Sequence, residues 1–315
     1  MKKRLRDYTL SRLEINILKE ITKGNHSLTK IRNSLLISPS LLSYNIRKLD
    51  NTGLIRTIKN GRKKNVYFAN SKHASLLREL LLVYDHVKWE NILSGMNVEV
   101  LFEVLNDSEI GFKNFSRVTF WRKARTLKSH GVIKLDNNGY GINPRFLILE
   151  NFLIEYQRYI LDSFIRSVSE KAVILWQKDF ECLFRAPKNL DLPQKNLSKT
   201  ATSRFGDFGI PIFSDFDIYF YSRTKKAIRA EDLVLHTLLI DRDSVRYTLY
   251  SLLLLKKKWK TINEEYLLRE AQRLDLNLLI NAMLQFLGTR GMRKGKTLPT
   301  WEEFMAKARD YGIVN

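Results

Sequence analysis

The chain has one cysteine, Cys182, in 315 residues, which excludes an internal disulfide framework and any multi-cysteine zinc site. It lies in an apolar, strand-like run, where a thiol behaves as a small buried hydrophobe. Long hydrophobic runs are absent as well. None approaches the ~20 residues that a membrane-spanning helix needs, and no apolar core of signal-peptide length follows the basic start. A cytoplasmic protein with no membrane partner is expected. The five histidines, His26, His73, His86, His130 and His236, are scattered without metal-ligand spacing, so neither a metal nor a cofactor is predicted.

Acidic residues are also in short supply, 33 against 54 Lys and Arg, which leaves a net charge of +21. An excess of that size calls for an anionic partner unless it is merely a solvated basic surface. Its distribution says where to look. Residues 1–72 hold 17 basic against 4 acidic side chains, more than half of the whole excess, whereas residues 73–106 hold 2 against 5. Residues 107–145 hold 8 against 3, and residues 146–315 hold 27 against 21. With 44% hydrophobic residues the chain can bury a core, and its length suits two or three domains.

The basic excess coincides with a stretch, Ser38 to Val66, that reads as a helix, a stop and a hairpin. Ser38 is an N-cap and Pro39 occupies the first helical position, where its missing N–H costs nothing. Leu42, Ile46 and Leu49 form one buried face and leave Ser40, Ser43, Tyr44, Arg47 and Lys48 outside. Gly53 ends the helix in the position that tolerates a left-handed residue. Two short strands then flank Asn60-Gly61, a hairpin signal, with Lys59, Arg62, Lys63 and Lys64 at the tip. A polar, basic helix beside a basic hairpin fits double-stranded DNA.

At this point the sequence resembles the winged helix-turn-helix repressors of the ArsR and MarR type. Their reading helix and wing have the form L-S-x-x-[LI]-x-x-L-x-x-x-G-[LV]-I, here Leu42, Ser43, Ile46, Leu49, Gly53, Leu54 and Ile55. Upstream, Ser11-x-x-Glu14 is a capping box that opens a first amphipathic helix ending near Gly24, and Ser27 caps a second through Leu36. Downstream, residues 71–94 read as one long helix with a broad apolar face. Such a helix either pairs with a second copy of the chain or braces its own domain.

A 78-residue shift superposes Ser38 on Ser116, Leu42 on Phe120, Arg47 on Arg125, Leu49 on Leu127, Gly53 on Gly131 and Asn60-Gly61 on Asn138-Gly139. A second unit of the same kind is the economical explanation. Its first helix is expected at Val98 to Leu105, its reading helix at Arg117 to His130 and its wing at Val132 to Ile142. The helix stays electropositive through Trp121, Arg122, Lys123, Arg125 and Lys128, whereas the wing lacks a basic cluster. This second unit is expected to bind DNA weakly or to act as a spacer.

After Pro144 the composition changes. Phe146 to Val168 reads as an apolar helix; Ala172 to Trp176, Phe180 to Phe184 and Phe216 to Tyr221 read as strands, with Pro187 to Asp207 a polar connection. Helices are predicted at Ala230 to Ile240, Ser244 to Leu255, Glu264 to Leu274, Leu278 to Leu287 and Trp301 to Asp310. Short stretches with Thr200, Ser203, Gly209, Ile210 and Pro211, and with Glu231, Asp232, Leu235, His236, Leu238 and Leu239, resemble the C-terminal domain of regulators related to abortive-infection (type IV) antitoxins. That resemblance implies repression of the chain's own operon and a toxin as protein partner.

Three features of this region invite a catalytic reading. Asp215-Phe216-Asp217 before an apolar strand suits the paired carboxylates by which nucleotidyltransferases hold metal ions, but the Gly-Ser pair of that family is absent. A turn-capping Ser-Asp is the plainer reading. Gly291 to Thr297 is one residue short of a phosphate-binding loop and meets Pro299 instead of opening a helix, which leaves a basic loop of Arg290, Arg293, Lys294 and Lys296. His236, among leucines, reads as a core histidine.

The expectation is therefore a mainly helical α+β chain: a winged helix at 1–72, a connecting helix at 73–94, a second winged helix at 95–145 and an α+β domain at 146–315. It is expected to regulate transcription by binding specific duplex DNA, as a repressor or antitoxin-like autoregulator, and not to be an enzyme. A homodimer would form through residues 71–94 or the C-terminal domain. The alternatives are a nucleotidyltransferase tethered to DNA and an architectural protein that binds any duplex.

Overall fold

The computed structural model describes residues 8–61, 63–106, 116–137, 139–188, 190, 196–223, 227–292 and 295–313. It is a mainly helical α+β protein of two compact units, Met1–Phe164 and Ile165–Asn315.

In the first unit, Ser11 and Glu14 close the predicted capping box and open α1 (Arg12–Thr22), whose Ile15, Leu18 and Ile21 are buried. The next helix, α2 (Leu28–Leu35), follows Ser27, whose side chain makes no capping bond. The chain turns at Leu36, in the left-handed conformation with φ 51°, and enters α3 (Pro39–Asn51). Here Ser38 Oγ accepts a bond from Leu41 N–H, Pro39 sits in the first turn, and Leu42, Ile46 and Leu49 are buried as the spacing required. Gly53, with φ 64°, ends the helix.

A hairpin follows, β1 (Ile55–Asn60) against β2 (Lys63–Phe68), in register from Ile55↔Phe68 to Asn60↔Lys63. Asn60 thus belongs to the strand, and the turn begins at Gly61 (φ 58°), one residue later than Asn60-Gly61 implied. Val66 N–H donates to His26 O, and Ser27 bridges Asn65, so the α1–α2 connection is pinned to the two-stranded hairpin by a single isolated bridge.

The single helix expected over 71–94 is broken. It forms α4 (Lys72–Val83) and a short α5 (Trp89–Ile92). Tyr84 leaves helical geometry, and its carbonyl accepts the indole N–H of the fully buried Trp89 at 2.9 Å. Phe146 packs on both rings. Burying Trp89 requires the break, a tertiary demand that the run of leucines hides.

The end of the unit resembles its beginning in one helix and the hairpin that follows it. α6 (Met96–Leu105) is followed by α7 (Arg117–Ser129), β3 (Ile133–Asp136) and β4 (Gly139–Ile142). Both α3 and α7 are 13 residues long, and Ser116 Oγ accepts from Thr119 N–H as Ser38 does from Leu41. Gly131 N–H donates to Lys128 O and Val132 N–H to Leu127 O, matching Gly53 to Asp50 and Leu54 to Leu49. The correspondence ends in the hairpin, where Ile133 pairs with Ile142 and Asp136 with Gly139. This hairpin is two residue pairs shorter, so Gly139 is a strand residue and does not correspond to Gly61. Asn138 lies outside the described residues.

A turn of 3-10 helix, Pro144–Phe146, leads into α8 (Leu147–Val168), and the division between the units falls inside this helix. Its Leu149, Phe152, Leu153 and Tyr156 are buried, and Tyr156 donates to Tyr8 O at 2.6 Å.

The second unit contains one antiparallel sheet of order β5-β6-β8-β7, built from Val173–Lys178, Glu181–Pro187, Leu197–Lys199 (β7) and Phe216–Tyr221 (β8). The stretch expected to be a plain connection, Pro187 to Asp207, contains β7 and most of a 3-10 helix, Ala201–Phe208. Three residues are too few for β7 to show alternation. Among the described residues five α-helices follow: α9 (Ala230–Ile240), α10 (Val245–Lys258), α11 (Glu264–Arg273), α12 (Asn277–Gly288) and α13 (Trp301–Asp310). Residues Glu231 to Leu239 are all buried, and the leucines of α9 join those of α10 in the core.

Cys182 is fully buried on β6, and burial pushes its thiol pKa up. Its alkylation in native protein should therefore proceed only at the rate of unfolding and rise steeply in denaturant, as mass spectrometry would show. Rapid labelling without denaturant would contradict the burial. Among the described residues no helix is long and apolar enough to cross a membrane.

Candidate nucleic-acid interface

The outward face of α3 is set by helical spacing. Ser40, Tyr44, Arg47 and Asn51 recur at i, i+4, i+7 and i+11, opposite Leu42, Ile46 and Leu49, and all four are exposed. Tyr44 is 65% exposed. Arg47 makes no ion pair among the described residues, so its guanidinium is available to an outside acceptor. Ser43 is exposed on the flank of this face. Asn51 was not picked out by the sequence, although the same spacing that marks Arg47 marks it.

Lys48 departs from the group. Its ammonium bonds Glu14 at 3.0 Å and Thr9 O at 2.9 Å, and the Glu14 side chain is completely buried. The charge assigned to DNA from the sequence instead joins α3 to the capping box of α1.

On the hairpin, Lys59, Lys63 and Lys64 are exposed, and Lys59 lies directly opposite Lys64. Like charges facing each other across a ladder are destabilising, a cost that an anion between them relieves. Arg62 lies outside the described residues. Arg56, exposed on β1, extends the basic surface and escaped the sequence reading because it lies away from the tip.

In the repeat, Arg122, Arg125 and Lys128 are exposed on α7, while Lys123 is half-buried. Trp121 is partly committed to its own hairpin, edge-on to Tyr140 with ring centres 5.6 Å apart. On that hairpin Lys134 pairs with Asp136 at 3.1 Å, which cancels its charge. The basic charge of the repeat is therefore on its helix, whereas that of the first copy is mainly on its hairpin.

Several residues of the second unit singled out in the sequence make contacts within its fold. Asp217 is nine-tenths buried and bonds Lys199 Nζ at 2.9 Å, while Asp215 is exposed in the preceding turn. His236 shares a hydrogen bond with Thr200 Oγ1 at 2.8 Å and stacks on Phe220. Gly209, left-handed at φ 68°, caps the 3-10 helix, and Ile210 is buried behind it. Asp232 accepts from Arg229 N–H and Tyr266 OH, and Glu231 accepts from Asn263 N–H. Gly291 packs close to Trp301; Arg293 and Lys294 lie outside the described residues.

Residues 194–313, within the second unit, match the family model described as HVO_2833_C, C-terminal. No curated protein and no solved structure matches the chain.

Proposed function

We propose that the first unit is a pair of winged helix-turn-helix domains and that the chain is a transcription regulator binding specific double-stranded DNA, with the second unit serving assembly or sensing. The order of three helices and a hairpin over residues 12–68, with Ser27 bridged to Asn65, supports the winged-helix reading of the first domain, and the likeness of α7 and its hairpin to α3 and its hairpin supports that of the second. The carrying observation is the outward face of α3, where Ser40, Tyr44 and Arg47 are exposed beside a hairpin bearing Lys59, Lys63 and Lys64. Such a helix offers donors to base edges in a major groove, and the lysines offer charge to phosphates. The enzyme alternative is weakened by the Lys199–Asp217 pair, which engages a carboxylate that a metal would need.

Replacing Arg47 by Ala is expected to cost ~1 to 3 kcal/mol on a specific duplex and to relax preference at one base pair. Arg125→Ala should cost less, because its hairpin lends no basic support. Replacing Lys59, Lys63 and Lys64 by Ala should weaken all duplexes alike and lower the slope of log affinity against log salt by about 0.9 for each phosphate no longer neutralised. Titrations on selected and scrambled duplexes separate these outcomes. Equal affinity of the native chain for both duplexes would replace the regulator with an architectural protein, and an unchanged salt slope would remove the hairpin from the interface.

A further inference from the structure

The exposed apolar side chains of the first unit are unevenly placed. From residue 8 to 70, the exposed large hydrophobics among the described residues are Leu36, Leu41, Tyr44 and Ile58, all on the α2–α3 turn, α3 or its hairpin. From 116 to 142 they are Val118, Trp121 and Leu135, on α7 and its hairpin. Helices α1 and α2 carry none among the described residues. Within residues 8–70 and 116–142 the exposed large hydrophobics thus lie on the elements that carry the basic face, whereas the others of the first unit, Leu82, Val83, Met96 and Leu147, lie on α4, α6 and α8.

Their positions along the helices are informative. Tyr44 stands one turn before Arg47 on the outward face of α3. Val118, 77% exposed, stands one turn before Arg122 and two before Arg125 on the same face of α7. Leu36 is 91% exposed and held left-handed at the turn leading into α3, a conformation that costs a leucine energy and gives it no place in the core. The sequence of α7 contains no carboxylate, so this mixed surface suits an anionic partner that also offers apolar groups. In the major groove that apolar group is the C5-methyl of thymine, beside the O6 and N7 acceptors of guanine that an arginine reads.

We infer that each outward helix reads thymine as well as guanine: Tyr44 with Arg47 on α3, and Val118 with Arg122 or Arg125 on α7, each apolar group seated against a thymine C5-methyl. The inference rests on the proposed DNA reading and adds the base chemistry of the site.

The test removes the methyl from the DNA. A pool of unmethylated synthetic duplexes with a randomised centre is selected on the full chain, so thymine is the sole source of a C5-methyl. Each thymine of the enriched duplex is then replaced by uracil, and affinities are measured at one salt concentration. At the contacted thymines the native chain should lose about four-fold in affinity, the worth of one buried methyl-sized group. Tyr44→Ser should make one of these positions indifferent to the methyl, and Val118→Ser another; both residues are exposed, so neither variant threatens the fold. Indifference of the native chain to uracil at every position overturns the inference and leaves the DNA reading intact. An undiminished uracil effect in both variants also overturns it, since the methyl would then act through DNA shape. A selection that enriches no duplex overturns the DNA reading itself and returns these apolar groups to a protein partner.

Discussion

Lys48→Met is expected to destabilise the first unit by about 3 kcal/mol, the low end for removing one partner of a buried ion pair, while leaving the salt slope of the proposed DNA binding unchanged. The Glu14 side chain is completely buried, and one oxygen already accepts both Ser11 N–H and the Lys48 ammonium. Its other oxygen, Oε1, has no hydrogen-bond partner among the described residues. Without Lys48 the carboxylate stays in the core with a single backbone bond and no counter-charge, which is where the cost arises. Lys48 is itself partly exposed, which places the cost at the low end. Glu14→Gln in the Lys48→Met background should recover a large part of the loss, since the amide oxygen can still accept Ser11 N–H and no charge remains buried. Urea denaturation of the four proteins in this cycle reads the coupling. If Lys48→Met kept native stability and lowered the salt slope by about 0.9, the value for one phosphate, Lys48 would belong to the proposed DNA-binding face after all.

Lys48 also illustrates what was legible in the sequence. Its place on the solvent side of Leu42, Ile46 and Leu49 follows from helical spacing, and so does the exposure of Ser40, Tyr44 and Arg47. The partner that draws its ammonium inward lies 34 residues earlier on another helix, which no periodicity reveals. The same division runs through the fold. Ser11 with Glu14, Ser38 with Pro39, and Gly53 with its counterpart Gly131 act within one turn of chain, and each forms as its local chemistry implies. The break after Val83 depends on where Trp89 must be buried, and the shorter second hairpin on a register that Asn138-Gly139 alone does not fix. In the second unit α9 and α13 begin and end as read, because continuous burial in one and a Thr300–Glu303 capping box in the other mark them locally. β7 is too short to announce itself and exists by pairing with β8.

The two stop glycines, alike in sequence role, should respond very differently to a methyl group. Both have positive φ, 64° at Gly53 and 70° at Gly131, so alanine at either site carries a strain of about 1 kcal/mol. At Gly131 a Cβ would meet nothing within 4 Å among the described residues. At Gly53 it would come within 2.5 Å of the Tyr159 ring, which packs on His73 with centroids 4.2 Å apart. His73 in turn is buried and hydrogen-bonded to Thr52 O at 3.1 Å, so the Tyr159 ring retreats only by giving up its packing on His73. Overpacking of this kind typically adds ~1 to 3 kcal/mol, which brings Gly53→Ala to about 3 kcal/mol against about 1 for Gly131→Ala. In a Tyr159→Ala background the ring is gone, and the cost of Gly53→Ala should fall to that of its counterpart. Denaturant midpoints of the three single variants and of Gly53→Ala with Tyr159→Ala measure the difference. Equal costs at the two glycines would mean that the Tyr159 ring swings aside freely, and a Gly53→Ala cost that persists without the ring would place the strain in the backbone of α3 alone.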